Sequence, residues 1–192
     1  LSLQNWEAGL GSWSVSSHNV AQPATFITPD WAVVGSLPAS RPGLAAFVAD
    51  LDSDCAVDGS GVLRLDSPTI TIPPGIPVPR ISINHFFDTE FGWDGGNFKI
   101  KVNNDPFILI PASAVEFNYF NDTLLPALDN DGFEKNSNPL ADQPAYTGTI
   151  DGQADGSWVE TRINLLGIAD AGDDIRLRFD FGVDSCNYFL GK

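Results

Sequence analysis

Residues 175–181 read IRLRFDF, and this alternation of apolar and charged residues decides the fold class. The four apolar residues share one face of an extended chain, and the three charged residues share the opposite face. A half-buried β-strand has this pattern, because successive side chains of a strand point to opposite faces of its sheet. The segment therefore predicts a strand with one face in a hydrophobic core.

Similar short segments recur along the chain, each bounded by Gly, Pro, Asp or Ser. FKIKV at 98–102 alternates in the same way, and the turn residues NNDP lead from it into FILI, which predicts a hairpin. No stretch of a dozen residues has strong helical periodicity, so a parallel βαβ architecture is not expected. We predict an all-β fold, a two-sheet antiparallel β-sandwich of jelly-roll type, with further strands at 45–50, 62–65, 69–72, 81–87 and 159–166.

The length of 192 residues and the 43% hydrophobic content predict a single domain over residues 1–192 with one core. Residues 116–153 are rich in Asn, Asp, Gly and Pro and show little alternation. We interpret them as a long loop or insertion on one rim of the sandwich. The longest apolar stretches contain proline and fall short of the roughly 18 residues that cross a bilayer, so no transmembrane segment is expected.

The charge balance restricts the partners of the chain. Ten Lys and Arg stand against 25 Asp and Glu, which gives a formal net charge of −15. Such a charge repels nucleic acid and anionic lipid, so neither is an expected partner. A solvated acidic surface, common in secreted proteins, accounts for most of these carboxylates, and only clustered ones suggest a site.

The two cysteines, Cys55 and Cys186, are expected to form a disulfide, because the chain has the character of an exported protein. Two buried thiols are the alternative. The chain begins with Leu1 rather than Met, which suggests a processed secretion product or an excised fragment. We expect a secreted protein, extracellular or periplasmic, that is associated with a cell surface.

The first acidic cluster is Asp50, Asp52 and Asp54 in FVADLDSDCA. Alternate positions place the three carboxylates on one side of an extended segment, and calcium prefers this oxygen density. The spacing does not fit an EF-hand loop, because Cys55 stands where that loop needs glycine. A solvated turn is the alternative interpretation.

The second acidic cluster is Asp88, Glu90 and Asp94 in FFDTEFGWDGGNF. Asp88 and Asp94 are candidate calcium ligands, and Glu90 is a candidate for contact with a bound ligand. Asp88 and Glu90 could alternatively form the acid/base pair of a glycoside hydrolase. Asp94 before two glycines is also a simple turn residue. HExxH, GxSxG and P-loop signatures are absent, and His85 lies on the inward side of its strand, where a hydrogen-bonded core histidine is expected.

Trp93 and Trp158 stand close to acidic or Gly-rich turns, and aromatic faces stack on sugar rings. Both are candidates for a carbohydrate-binding platform, with packing in the core or at the rim as the alternative.

Several longer segments resemble an accessory module of secreted bacterial proteins, found beside fungalysin-type metalloproteases and in large surface proteins. The module is similar in layout to MAM and galactose-binding-like jelly rolls. The segments are NWEAGLGSWSV, AFVADLDSDCA, GVLRLDSPTITIP, NHFFDTEFGWDGGNFKIKVN, PLADQPAYTGT and IRLRFDFGVDSCN. The resemblance implies a non-catalytic domain with a structural calcium ion, and it makes Glu7, Asp50 and Asp52 the first-choice ligands.

The module usually continues beyond its second cysteine into a closing strand, whereas this chain stops at Lys192. We therefore expect an unpaired sheet edge beside the strand at 175–181. The function expected from the sequence is an extracellular binding or adhesion module for a surface glycan. The alternatives are an assembly subunit that binds other protein chains and a polysaccharide-active enzyme with two carboxylates.

Overall fold

The computed structural model describes residues 4–19, 30–49, 59–133, 135–149 and 157–185. Its regular structure is β-strand apart from two short 3₁₀ turns at Pro38–Ser40 and Ala112–Ala114. None of the described residues belongs to a helix that could span a membrane. The strands are β1 (Ser14–Asn19), β2 (Ala32–Val34), β3 (Ala45–Phe47), β4 (Gly61–Asp66), β5 (Ile70–Thr71), β6 (Arg80–Phe87), β7 (Gly95–Val102), β8 (Ile108–Leu109), β9 (Val115–Phe117), β10 (Asp122–Thr123), β11 (Pro144–Ala145), β12 (Ser157–Asn164) and β13 (Asp174–Val183).

Two antiparallel sheets form a β-sandwich. The large sheet has the order β1-β4-β13-β7-β8, with β5 paired to the start of β13, and the second sheet has the order β6-β12-β9. Two small pairs, β2 with β3 and β10 with β11, complete the described strands. The predicted all-β fold is confirmed, while its jelly-roll connectivity stays a prediction.

The core lies between the two sheets and follows from the alternation of their strands. Ile175 and Leu177 of β13 and Ile100 of β7 face Phe87 of β6 and Ile163 of β12, and all five are buried. The predicted hairpin is confirmed, because β7 and β8 pair antiparallel. Side chains at alternate positions therefore build a single apolar layer, as expected for a half-buried sheet.

His85 occupies this core as the sequence predicts. Its Nε2 shares a hydrogen bond of 2.9 Å with Thr161 Oγ1, and Thr161 Oγ1 lies 2.6 Å from the Tyr146 hydroxyl. The Tyr146 hydroxyl donates to the Asn118 carbonyl at 2.7 Å. Burial lowers the pKa of His85 from 6.5 to about 4, because the charged imidazolium loses its hydration.

The edge expected beside the strand at 175–181 is absent, and that prediction is wrong. β13 is a central strand, paired with β4 on one side and with β7 on the other. The described edges of the large sheet are β1 and β8. The Ser-rich sequence of β1 lacks apolar alternation, so its pairing with β4 could not be recognised from the sequence.

The segment 116–153 packs over part of the outer face of the large sheet. Its side chains Leu124, Leu140 and Ala145 form a second buried cluster with Val62 of β4. The approach is so close that a side chain at Gly182 of β13 would collide with the loop. This segment therefore extends beyond the rim and covers the outer face of the large sheet around Val62 and Gly182.

Candidate functional site: an acidic cluster beside a tryptophan cleft

Several of the predicted site residues lie outside the described part of the chain, namely Asp50, Asp52, Asp54, Cys55 and Cys186. Ser185, which directly precedes Cys186, and Gly59, four residues after Cys55, are described. The Gly59 N–H donates to the Ser185 carbonyl at 3.4 Å, just where β4 begins and β13 ends. This contact brings together the two chain segments that lead to Cys55 and to Cys186.

The second acidic cluster of the sequence assembles at this same end of the sandwich. Asp88 follows β6, Asp94 precedes β7, and Asp184 follows β13. Because β7 and β13 are antiparallel neighbours, the start of one strand lies beside the end of the other. The backbone N–H of Asp184 donates to Asp94 Oδ1 at 2.9 Å. The cluster therefore joins three strand ends from both sheets.

Burial makes this cluster electrostatically unusual. Asp88, Asp94 and Asp184 are 4%, 1% and 9% exposed, although most carboxylates remain on protein surfaces. The pKa of Glu90 is raised, first by burial and then by the negative charge of Asp184. Glu90 Oε2 is buried without a hydrogen-bond donor among the described residues. Four acidic groups thus share a poorly solvated region, where a cation would reduce their repulsion.

Asp184 was not recognised as a site residue from the sequence. Its one available signal was its place in GVDSC, two residues before the cysteine of the predicted disulfide. The alternation along β13 shows to which face each of its side chains points. It does not show which acidic residues of the loops lie next to the end of this strand.

Polar side chains of the long loop hold the turn at 90–94 in place. Thr147 Oγ1 accepts the Gly92 N–H at 2.7 Å and donates to the Asp94 carbonyl at 2.6 Å. Asn138 Nδ2 donates to the Trp93 carbonyl at 2.8 Å, and Asn136 is almost fully buried beside it. The half-buried Trp93 therefore sits on a rigid turn next to the acidic cluster.

No group of three or more His, Cys, Asp or Glu side chains within the described residues is arranged to hold a metal ion. The oxygen-rich chemistry of Asp88, Asp94 and Asp184 nevertheless suits calcium, which takes six to eight oxygen ligands, including carbonyls and water. Glu7, the ligand implied by the resemblance, is exposed in the N-terminal turn and lines the cleft described next.

A cleft of about 2140 Å³ runs along β6, between the N-terminal segment, residues 31–48 and the two sheets. Asp88 and Thr89 line one part of it, so the cleft adjoins the acidic cluster. Four of the five tryptophans of the chain also line it, all of them half-buried: Trp6, Trp13, Trp31 and Trp158.

The aromatic rings of the cleft are held in fixed positions. Trp13 packs between Trp6 and Phe179, with ring centroids 5.1 and 5.8 Å apart. Trp158 donates its indole N–H to the Pro38 carbonyl at 3.0 Å, and the Arg41 guanidinium lies 4.3 Å from the centroid of its ring. One predicted aromatic residue, Trp158, therefore belongs to the cleft, whereas Trp93 belongs to the turn beside the acidic cluster.

Trp31 differs from Trp158 in one respect. Its indole N–H is buried and finds no acceptor among the described residues. Buried Trp N–H groups usually have a partner, so the Trp31 indole keeps an unused hydrogen-bond donor at the wall of the cleft.

Comparisons of the chain with models of protein families, with curated proteins and with solved structures gave no match in any of the three.

Proposed function

We propose that this chain is an extracellular, non-catalytic binding or adhesion module, stabilised by calcium, whose ligand is a surface glycan. The observation that carries the proposal is the convergence of four tryptophans on one cleft. Trp combines a large apolar face with a polar N–H, and this pairing suits a sugar ring with its apolar face and hydroxyl edge.

The size and lining of the cleft support an extended ligand. Its volume of about 2140 Å³ exceeds the roughly 300–1,000 Å³ of pockets that enclose small molecules. Polar side chains that can bond hydroxyl groups also line it, including Arg41, Arg80, Asn84 and Arg162. An oligosaccharide of several residues fits this combination better than a single compact metabolite does.

The environment of the one inward histidine supports a non-catalytic role. A general base acts best when its pKa is near the working pH, whereas burial depresses that of His85 to about 4. Its ring nitrogen is also committed to Thr161. His85 therefore acts as a structural group at the inner wall of the cleft.

Binding of the glycan is expected to depend on the cleft tryptophans. Trp158→Ala removes a ring face, and Trp31→Phe keeps a smaller aromatic ring but removes the indole N–H that has no acceptor among the described residues. We expect each variant to weaken glycan binding about tenfold, the effect of losing one stacking or hydrogen-bonding contact. Glycan arrays identify the ligand, and isothermal titration calorimetry then measures the affinities.

Trp93→Phe is the matched control, since Trp93 lies on the turn beside the acidic cluster. Folded variants that bind the array glycan as well as the unchanged protein does would contradict the assignment of the cleft. Measurable hydrolysis of that glycan would instead favour the two-carboxylate enzyme.

Calcium is proposed to bind at the acidic end of the sandwich, with Asp50, Asp52 and Asp54 as further ligands beside Asp88, Asp94 and Asp184. We expect chelation to lower the melting temperature and millimolar calcium to restore it, because calcium binds the native state preferentially. At a calcium concentration 100 times Kd the gain in stability is about 2.7 kcal/mol. Differential scanning fluorimetry with EDTA and with calcium measures this response.

Two variants test where calcium binds. Asp52→Ala should remove the response, whereas Asp131→Asn, a change of an exposed carboxylate in another loop, should retain it. Glu90→Gln should raise the melting temperature in EDTA, because it removes the repulsion between Glu90 and Asp184. Identical melting curves of the unchanged protein with chelator and with calcium would show that these carboxylates form a solvated acidic surface.

The assembly role remains a second candidate function, and one surface feature favours it. Leu128 and Phe133, on the loop closed by the Asp129–Phe133 hydrogen bond, are 57% and 72% exposed. Exposed apolar residues that lie close together often mark protein contacts. A stoichiometric complex that is purified from the native source and lost with Phe133→Ser would support this role.

A further inference from the structure

The outer face of the large sheet concentrates positive charge on a strongly acidic chain. Half of the ten basic residues project from β4, β7 and β13 on the side away from the core, as the strand register requires. We call this surface the basic face, and its members are Arg64, Lys99, Lys101, Arg176 and Arg178.

The carboxylates of the same face do not neutralise it. Among the side chains that β4, β7 and β13 direct to this side, Asp66, Asp174 and Asp180 carry three negative charges against the five positive ones. The segment 116–153 packs over the other end of the same face, near Val62 and Gly182. An excess of two positive charges here contrasts with the net charge of −15 for the whole chain. The face is therefore the part of the large sheet that can attract an anion.

Two of the basic side chains are held in place for binding. Arg178 donates to both oxygens of Asp66 at 2.7 and 2.8 Å, and its guanidinium lies 4.0 Å from the centroid of the Phe107 ring. Lys99 Nζ lies 2.6 Å from Asp180 Oδ2. These contacts fix the cationic groups before a ligand arrives, which reduces the entropy lost on binding.

One corner of the face is electrostatically unfavourable without a ligand. Arg176 and Lys101 stand directly opposite each other on neighbouring strands, and like charges in this position destabilise a sheet. Arg176 reaches Asp66 at 3.5 Å, while Lys101 has no ion pair within the described residues. An anion between these two side chains would relieve their repulsion.

We propose that the basic face binds a carboxylate-bearing polysaccharide, a polymer of uronic acids, at a site separate from the tryptophan cleft. The inference rests on the proposed function only in taking a glycan as the ligand class. A carboxylate is the matching group, because the guanidinium and ammonium groups of this face already bind the carboxylates of Asp66 and Asp180.

The composition of the face favours a polysaccharide over a protein partner. The centres of protein interfaces are depleted in charged residues and depend on buried apolar anchors. The centre of this face consists of Arg178, Lys99, Asp66 and Asp180, all charged. Between 17% and 34% of the Lys99, Arg64, Arg178 and Arg176 side chains remains exposed, which leaves donors for a polar ligand on a flat surface.

The test compares short polygalacturonate fragments with the same polymer after its carboxylates have been reduced to alcohols. Isothermal titration calorimetry on the unchanged protein should detect only the charged polymer, with an affinity that falls as sodium chloride rises. Lys101→Glu should weaken binding about tenfold or more, because it reverses a charge at the centre of the unfavourable corner. Lys135→Glu, the same charge reversal at an exposed lysine that does not project from the strands of the basic face, should leave the affinity within about twofold.

Failure of this proposal is distinguishable from failure of the proposed function. Trp158→Ala should retain polygalacturonate binding, and Lys101→Glu should retain binding of the cleft glycan. The proposal is overturned by no binding to the folded protein, by equal losses in Lys101→Glu and Lys135→Glu, or by equal affinity for the reduced polymer. Preference for a sulfated polymer, a nucleic acid or an acidic protein overturns it as well.

Discussion

Loss of the predicted Cys55–Cys186 disulfide is expected to lower the free energy of unfolding by about 4 to 5 kcal/mol. The bridge closes a loop of roughly 130 residues, and a loop of this length restricts the unfolded chain strongly. The Gly59–Ser185 hydrogen bond supports the pairing, because it joins the residue just before Cys186 to a residue four positions after Cys55. Urea denaturation of the oxidised protein and of the Cys55→Ser/Cys186→Ser variant measures the difference.

A reducing agent should destabilise the unchanged protein and leave the double-serine variant unaffected, which separates the bridge from general effects of reduction. The intact mass of the oxidised protein should be lower than that of the reduced chain by two hydrogen atoms. Labelling of two free thiols in the unreduced, folded protein would contradict the bridge.

Acidification is expected to remove about 3 kcal/mol of stability through His85 alone. Above pH 6.5 the imidazole is neutral in both the folded and the unfolded state. As the pH falls from 6.5 towards 4, the unfolded chain takes up a proton that the folded core excludes, so the free energy of unfolding decreases. A pKa difference of about 2.5 units corresponds to about 3 kcal/mol at 1.36 kcal/mol per unit. Below about pH 4 His85 is protonated in both states, so it no longer changes the free energy of unfolding as the pH falls.

Urea denaturation at intervals of half a pH unit between pH 7 and pH 4 measures how steeply the free energy of unfolding depends on pH. His85→Gln should flatten this dependence, and His18→Gln, a matched change of an exposed histidine, should not. The raised pKa of Glu90 acts in the opposite direction, but it is common to all three proteins. A slope that is equal in the unchanged protein and in His85→Gln would contradict the role of His85.

The sequence by itself determined most of the longer strands and which of their faces are buried. The strand at 175–181, the hairpin from β7 to β8 and the inward position of His85 all follow from alternation, which is a local property of the chain. Composition likewise determined the net charge of −15, which is the same in every conformation.

The tertiary structure decided which strands are neighbours and therefore which side chains form sites. Every strand offers the same backbone donors and acceptors along its edges. Alternation therefore cannot reveal that β13 pairs with β4 on one side and with β7 on the other. The contact between Asp94 and Asp184 joins residues 90 positions apart, and Trp6 and Trp158 line one cleft although most of the chain separates them. Such sites arise from long-range pairing, which is determined by the packing of the whole core rather than by any local pattern.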